Sequence, residues 1–252
     1  MICLSWKGRG LGNLHAVYVL KELILSKKPN IIFLCEIIVH SNKIEEIKVY
    51  VRCDCCFSLD HLGRNGGLTV LWKCISLVTI TTFASNYIDM LNSSLNNVAL
   101  RLTRFYGYPK RGRRHDSWYL LTHLASSSSL PMACIVDFND LLNIDDKRGG
   151  NPHLDYLLKG LKETIDTSHL IDLPLYGHNK WVRECLDRVL VTSSWLDMFA
   201  NCKLINLYAS MSDHSPIFLK TDCDHWSGQV RRFKFENFWL SHSSIHDVVR
   251  SS

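Results

Sequence analysis

The chain has no apolar stretch that approaches the roughly 20 residues needed to span a bilayer. Its first residues also lack a basic segment followed by an apolar one, which is the pattern of a secretory signal peptide. We therefore predict a protein of the nucleus or cytoplasm that makes no membrane contact.

A strong charge excess and the cysteine spacing of a zinc site are also missing. The 29 lysines and arginines against 24 aspartates and glutamates give a net charge of +5, which suits a polyanionic partner without requiring one. Ten cysteines are scattered along the 252 residues, and the pair of Cys53 and Cys56 has no second pair at zinc-finger spacing. We interpret the cysteines as free thiols of a reducing compartment.

Short β-branched or aromatic runs alternate with amphipathic ones, which is typical of a mixed α/β fold. No internal repeat is present, and the length suits one large domain over residues 1–222, followed by a basic and aromatic tail over residues 223–252. Helices are predicted at residues 15–26, 41–51, 117–125 and 152–167. Strands are predicted at residues 2–6, 30–34, 56–59, 67–72, 77–83, 98–106, 132–136, 185–191, 203–209 and 215–220.

Acid, amide and imidazole groups stand at or beside the ends of predicted strands, where α/β folds build their sites. Each alone has a simpler explanation, because Asp and Asn also cap helices and turns. Together, carboxylates without matching Cys or His ligands suit a hard cation such as Mg²⁺ or Mn²⁺, and such a site supports phosphoryl transfer to water. The residues are Glu36, Asp137, Asn139, Asp187, Asp213 and His214.

Six short motifs stand in a fixed order along nearly the whole chain. They are LSW at residues 4–6, LCE at 34–36, FYGYP at 105–109, DFND at 137–140, LDR at 186–188 and SDHSP at 212–216. In this order they resemble the endonuclease/exonuclease/phosphatase superfamily, and more closely the endonuclease domain of plant LINE-type (non-LTR) retrotransposons. The combination of DFN with SDH is the most specific part of this resemblance.

The resemblance implies a four-layer, DNase-like α/β sandwich, in which two packed mixed β-sheets are flanked by helices and one end carries a single site. It implies that Glu36 binds the divalent metal and that Asp213 assists the metal or the histidine pair. It also implies DNA as the partner, a monomeric domain, and a reverse transcriptase that ancestrally belonged to the same polyprotein.

Catalytic roles follow from the same resemblance. Asp137 would activate the attacking water, and Asn139 would position the phosphate or that water. Tyr106 would contact the phosphate, while Asp187 would orient His214. How the acid–base role divides between Asp137 and His214 stays open, because coupled groups share their titration.

A basic segment directly follows the FYGYP motif. We favour the hypothesis that it neutralises backbone phosphates beside the site, which would give affinity without sequence choice. The alternative is a solvated basic loop. The segment comprises Lys110, Arg111, Arg113 and Arg114.

Lys7 is the main departure from the family pattern. The first strand normally ends Ser-Trp-Asn, with an asparagine that helps to hold the phosphate and the metal-bound glutamate, and Lys7 stands at that position. A lysine has no acceptor and cannot replace an amide. It would repel the metal or pair with Glu36 in the place of the metal, or alternatively point outward and contact a phosphate.

Three further departures accompany Lys7. Val136 replaces a glycine, Cys185 replaces an arginine, and the passage between Pro174 and Asp187 is shorter than usual by about a strand. In a chain that ends at Ser252, where a reverse transcriptase would begin, these changes indicate the decay of a mobile element.

The leading hypothesis is therefore a Mg²⁺-dependent phosphodiesterase of the endonuclease type, derived from a retrotransposon, whose ancestral reaction is nicking DNA. The main alternative is a catalytically inactive relic that keeps the fold and binds nucleic acid. A third alternative, a phosphatase of the same superfamily, is disfavoured by the basic segment.

Overall fold

The computed structural model describes residues 1–60, 66–73, 78–95, 98–147, 154–177, 186–207 and 215–221. Within these ranges the α-helices are α1 Leu14–Lys27, α2 Ser41–Tyr50, α3 Arg114–Ser126, α4 Asp155–Thr167 and α5 Ser193–Met198. The strands are β1 Ile2–Lys7, β2 Ile31–Ile37, β3 Cys55–Leu59, β4 Gly67–Trp72, β5 Val78–Ala84, β6 Tyr87–Leu95, β7 Val98–Tyr106, β8 Met132–Asp137, β9 Ile171–Asp172, β10 Leu175–Tyr176, β11 Asp187–Val191, β12 Lys203–Asn206 and β13 Ile217–Lys220.

The strands form two mixed sheets. The described strands of the first sheet follow the order β10-β12-β13-β1-β2-β4-β3, and those of the second follow β5-β6-β7-β8-β11-β9. In each sheet one parallel pair lies next to the site described below: β1 with β2 in the first and β7 with β8 in the second. The carboxyl ends of β2 and β7 meet at one end of the molecule, where the Tyr106 hydroxyl contacts Glu36.

Three apolar clusters separate four layers, which confirms the predicted sandwich. One cluster lies between the sheets and joins residues such as Phe33 to Ile135. A second lies between the first sheet and helices α1 and α2, and a third lies between the second sheet and helices α3 and α4. No helix in the described ranges is both long and apolar enough to cross a membrane.

Strand β2 shows why a continuous apolar run predicts a central strand. All seven of its residues are buried. Successive side chains point to opposite faces of a sheet, so Phe33 enters the cluster between the sheets while Ile32 and Leu34 pack beneath the helices.

The sequence did not predict strand β6, helix α5 or the two-residue strands β9 and β10. Strand β6 was missed because Asp89 and Asn92 interrupt its apolar residues, yet both side chains are buried. The predicted pairing of residues 56–59 with 67–72 is confirmed by the antiparallel ladder of β3 and β4. The tail over residues 223–252 lies outside the described residues, so the domain boundary stays a prediction.

Candidate active site

The site is built from one row of residues that crosses three neighbouring strands of the second sheet. Tyr106 at the end of β7 is the register partner of Asp137 at the end of β8, and Asp137 is in turn the partner of Asp187 at the start of β11. The first sheet faces this row with Glu36, whose Oε1 atom accepts a 2.7 Å hydrogen bond from the Tyr106 hydroxyl. Three of the predicted residues are thus in register, and a fourth contacts them.

Glu36 is aimed into the site by an irregularity in its strand. The pairing of β2 with β4 shifts register between Cys35 and Ile37, and Glu36 between them has a φ of 53°. A bulge of this kind re-aims a side chain at the cost of local strain. Gly66 passes directly over it, because a Cβ at Gly66 would lie 2.2 Å from the Glu36 Cα.

Asn139 is held in a similar strained conformation, with a φ of 54°. Its backbone N–H donates to Asp137 Oδ1 at 3.0 Å, and its side-chain amide donates to the Gly107 carbonyl at 2.9 Å. Gly107 also approaches closely, since a Cβ there would lie 2.6 Å from the Phe138 carbonyl oxygen. These contacts fix the amide beside Tyr106 and Asp137.

A positive φ away from any helix end distinguishes Glu36 and Asn139 among the described residues. The other three non-glycine residues with positive φ follow the C-terminal ends of α1, α2 and α4, where a left-handed residue commonly ends a helix. They are Lys28, Arg52 and His169. Glu36 and Asn139 have no helix end to explain their conformation, and strain of this kind clusters at functional sites.

Lys7 inserts its ammonium group between the two central carboxylates. Its Nζ atom lies 2.6 Å from Glu36 Oε1 and 3.8 Å from Asp137 Oδ2, and only 8% of its side chain is exposed. Burial alone would lower the pKa of Lys7, but Asp137 and Glu36 outweigh it and raise that pKa above its ordinary value. The alternative that Lys7 points outward is therefore wrong.

Two arginines add positive charge to the described part of the site. Arg9 is 63% exposed, and its Nε lies 3.4 Å from Glu36 Oε2. Arg104 is fully buried between the sheets, where Nη2 donates to Cys35 Sγ at 2.9 Å and lies 3.9 Å from Asp187 Oδ1. Burial raises the pKa of the Cys35 thiol to about 12, so the thiol stays neutral beside this cation.

Sequence reasoning missed Arg104 and assigned no role to Arg9. The signal for Arg104 was a charged residue two positions before Tyr106 in a predicted strand, where Leu100 and Leu102 face the cluster between the sheets. Alternation along the strand places Arg104 on that same buried face. A buried cation at this point in a strand indicates that carboxylates lie nearby.

The residues present do not fit a divalent cation. Glu36, the predicted metal ligand, has Oε1 in contact with a lysine ammonium and a tyrosine hydroxyl. A cation brought to this oxygen would meet the Lys7 charge at contact distance, where repulsion is strong because the site is largely removed from water. Among the described residues, no group of three or more His, Cys, Asp or Glu side chains is arranged to hold a metal.

The basic segment after Tyr106 divides into two parts. Lys110 and Arg111 are exposed, as is Arg113, whose guanidinium stacks over the Tyr108 ring at 3.8 Å.

Arg114 instead turns inward, where its Nη1 donates at 2.9 Å to the buried carboxylate of Asp140. Arg114 therefore has a structural partner within the fold.

Asp213 and His214 lie outside the described residues, so the predicted pairing of His214 with Asp187 stays a prediction. Ser215 and Pro216 precede β13, which pairs antiparallel with β1 so that Ile217 is the partner of Ser5. This register brings residues 215–216 beside the end of β1 that carries Lys7.

No protein-family model and no curated protein matches this chain. Among solved structures, the 3'-5' exonuclease NExo from Neisseria meningitidis is 14% identical with a TM-score of 0.68, covering 88% of this chain and 100% of that chain. NExo from Neisseria, described as a 3' phosphatase bound to product DNA hairpin, is 14% identical with a TM-score of 0.67, covering 88% and 99%. The endonuclease domain of TRAS1, a telomere-specific non-LTR retrotransposon, is 12% identical with a TM-score of 0.63, covering 88% and 99%.

At these identities the comparisons show the fold. The chain has two mixed β-sheets flanked by helices, as in the DNase-like endonuclease/exonuclease/phosphatase proteins.

Proposed function

We propose that this chain is a nuclease-type domain that recognises the phosphodiester backbone of DNA, with a hydrolytic site impaired at its metal position. The observation that supports this most is the row of Tyr106, Asp137 and Asp187 across three strands, with Glu36 opposite. Solved structures of the same fold include a retrotransposon endonuclease domain and an enzyme bound to product DNA.

Asp137, Tyr106 and Asn139 each have a chemical task in this proposal. Asp137 is fully buried beside Lys7 and accepts a proton from a water that attacks phosphorus. Burial and the neighbouring Glu36 raise the pKa of Tyr106, which keeps its hydroxyl protonated. The proton that it donates to Glu36 Oε1 in this structure would turn to a phosphate oxygen when DNA binds. The Asn139 amide, fixed by Gly107, positions the phosphate or the water.

The roles of His214, the basic segment and the metal in this proposal rest on the sequence motifs. His214, held by Asp187, stabilises charge on the phosphate, and Lys110 with Arg111 contacts flanking phosphates. Mg²⁺ is the cofactor of the ancestral reaction, in which it would supply charge neutralisation at the phosphate. The domain acts as a monomer in the nucleus or cytoplasm, and its ancestor preceded a reverse transcriptase.

One contact favours a second candidate function, a nucleic-acid-binding domain without hydrolysis. Lys7 Nζ lies 2.6 Å from Glu36 Oε1, at the oxygen that would otherwise ligate the metal. If the other departures have also removed activity, replacing Lys7 alone would restore none.

A plasmid-nicking assay separates the two candidates. Purified protein, Lys7→Asn and the double variant Lys7→Asn/Asp137→Asn are incubated with supercoiled plasmid and Mg²⁺, and relaxed circles are counted over time. We expect slow or undetectable nicking by the parent and a gain of at least about 100-fold in Lys7→Asn, because a metal ion supplies several kcal/mol of transition-state stabilisation. The double variant should lose that gain.

The other outcomes are equally informative. No nicking by any variant, with DNA binding retained, would favour the binding domain. Nicking by the double variant at the rate of Lys7→Asn would show that Asp137 is not the base. A protein that neither nicks nor binds DNA would contradict both candidates.

A further inference from the structure

The described part of the site contains as many cations as carboxylates. Glu36 contacts Lys7 and Arg9, Asp137 lies near Lys7, and Asp187 lies near Arg104. A site that recruits a divalent cation needs carboxylate charge that is not already neutralised, because desolvating the ion must be offset by attraction. Here Lys7, Arg9 and Arg104 already neutralise the carboxylates.

The position of Lys7 is as important as its charge. Its Nζ atom lies between Glu36 Oε1 at 2.6 Å and Asp137 Oδ2 at 3.8 Å, so it bridges the predicted metal ligand and the predicted base. Both carboxylates and the lysine are nearly or fully buried, and an ion pair removed from water resists competition from dissolved ions. The ammonium is thus fixed between the two carboxylates and neutralises charge on both.

Arg9 provides the surface that a ligand would meet first. Its side chain is 63% exposed while its Nε remains near Glu36 Oε2. A guanidinium has five N–H donors in a planar fork that matches two phosphate oxygens, so the contact with Glu36 leaves donors for a ligand. The buried Lys7 and the exposed Arg9 therefore both place positive charge beside Glu36.

We propose that the Lys7 ammonium permanently replaces the divalent cation of this fold, so that the site excludes Mg²⁺ and binds a DNA phosphodiester group without any metal. This inference rests on the proposed function, because it takes the DNA backbone as the ligand. It goes beyond that function by making recognition independent of metal, whether or not the chain hydrolyses DNA.

The test compares DNA affinity with and without metal in matched variants. Fluorescence anisotropy of a labelled DNA duplex is measured in EDTA and in Mg²⁺ at equal ionic strength, since added cations weaken backbone binding by themselves. The variant is Lys7→Asn. The matched control is Lys48→Asn, which removes another lysine paired with a glutamate, Glu45, at 2.5 Å on the surface of α2.

We expect the parent and Lys48→Asn to bind DNA with dissociation constants in EDTA and Mg²⁺ that agree within about twofold. In EDTA, Lys7→Asn should bind about tenfold more weakly, because Glu36 and Asp137 then repel the phosphate, and Mg²⁺ should restore its affinity. Calorimetric titration with Mn²⁺ should detect one site in Lys7→Asn and none in the parent.

If Lys7→Asn fails to fold, measurements on the parent protein still test the inference. Parent binding that requires Mg²⁺, or a parent Mn²⁺ site that is lost in Glu36→Gln, would overturn this inference and leave the proposed function standing. Absence of DNA binding by the parent in both conditions would overturn the proposed function and the inference together.

Discussion

Two buried ion pairs, Asp89 with Arg101 and Glu36 with Lys7, differ in how fully their hydrogen-bonding atoms are satisfied. Asp89 on β6 accepts hydrogen bonds from Arg101 Nε to both carboxylate oxygens at 2.9 Å, and from the hydroxyls of Thr103 and Thr81. Arg101 also donates to the Leu124 carbonyl. At the site, Glu36 Oε2 is buried and accepts no hydrogen bond from the described residues.

The difference distinguishes a structural pair from the pair that we propose to bind a ligand. Asp89 and Arg101 satisfy each other's hydrogen-bonding atoms beneath α3, and we call such a pair closed. It contributes to stability only as long as both partners are present. The pair of Lys7 and Glu36 lies beside Arg9 and near Arg104, whose Nε and Nη1 make no hydrogen bond with the described residues. These atoms give the cluster a hydrogen-bonding capacity that the pair of Asp89 and Arg101 lacks.

The largest effect is expected from breaking the closed pair. Asp89→Ala should lower the free energy of unfolding by about 3–5 kcal/mol, because it leaves the Arg101 guanidinium buried without its counterion. Urea denaturation followed by circular dichroism measures this change. A loss below about 1 kcal/mol would show that the pair is less closed than its hydrogen bonds indicate.

A smaller loss of stability is expected at the pair of Lys7 and Glu36, which is open in the sense that Glu36 Oε2 accepts no hydrogen bond from the described residues. Glu36→Gln should lower the free energy of unfolding by about 1 kcal/mol, since Lys7 keeps Asp137 as a counterion and the new amide still accepts from Tyr106. The same urea experiment measures it, with Lys48→Asn as a surface control that should unfold like the parent. A loss for Glu36→Gln as large as that for Asp89→Ala would remove the distinction between the two pairs.

The smallest effect concerns alkaline pH. The pKa of Lys7 is raised in the folded protein, so its contribution to stability is fully present below the ordinary value of 10.5 and is lost as pH rises through the folded pKa. The stability of the parent relative to Lys7→Met should therefore be constant up to about pH 10 and decline above it. A difference that grew with alkaline pH would contradict the assigned charge state.

The sequence predicted the elements whose signal is local. The apolar run of β2 and its ending on Glu36 were readable because a central strand is buried on both faces and a following carboxylate stands out. Strand β6 was not, because the polarity of Asp89 is compensated by Arg101 on the next strand, a partner that no local window contains. The same reason hides the inward turn of Arg114 toward Asp140.

The candidate site was predicted as a set of residues, while its electrostatics were not. Motif order brought Tyr106, Asp137 and Glu36 together correctly. The direction of Lys7 stayed open among three alternatives, because a flexible side chain is directed by neighbours from both sheets. Arg104 shows the same limit, since its contacts with Cys35 and Asp187 join strands far apart in the chain.

A crystal structure of the parent protein grown with Mn²⁺ tests the central claim most directly, because anomalous scattering locates the ion. We predict no Mn²⁺ peak at Glu36 and a Lys7 ammonium that keeps its 2.6 Å contact with Glu36 Oε1. A Mn²⁺ ion bound to Glu36, with Lys7 displaced from the carboxylate, would contradict the account.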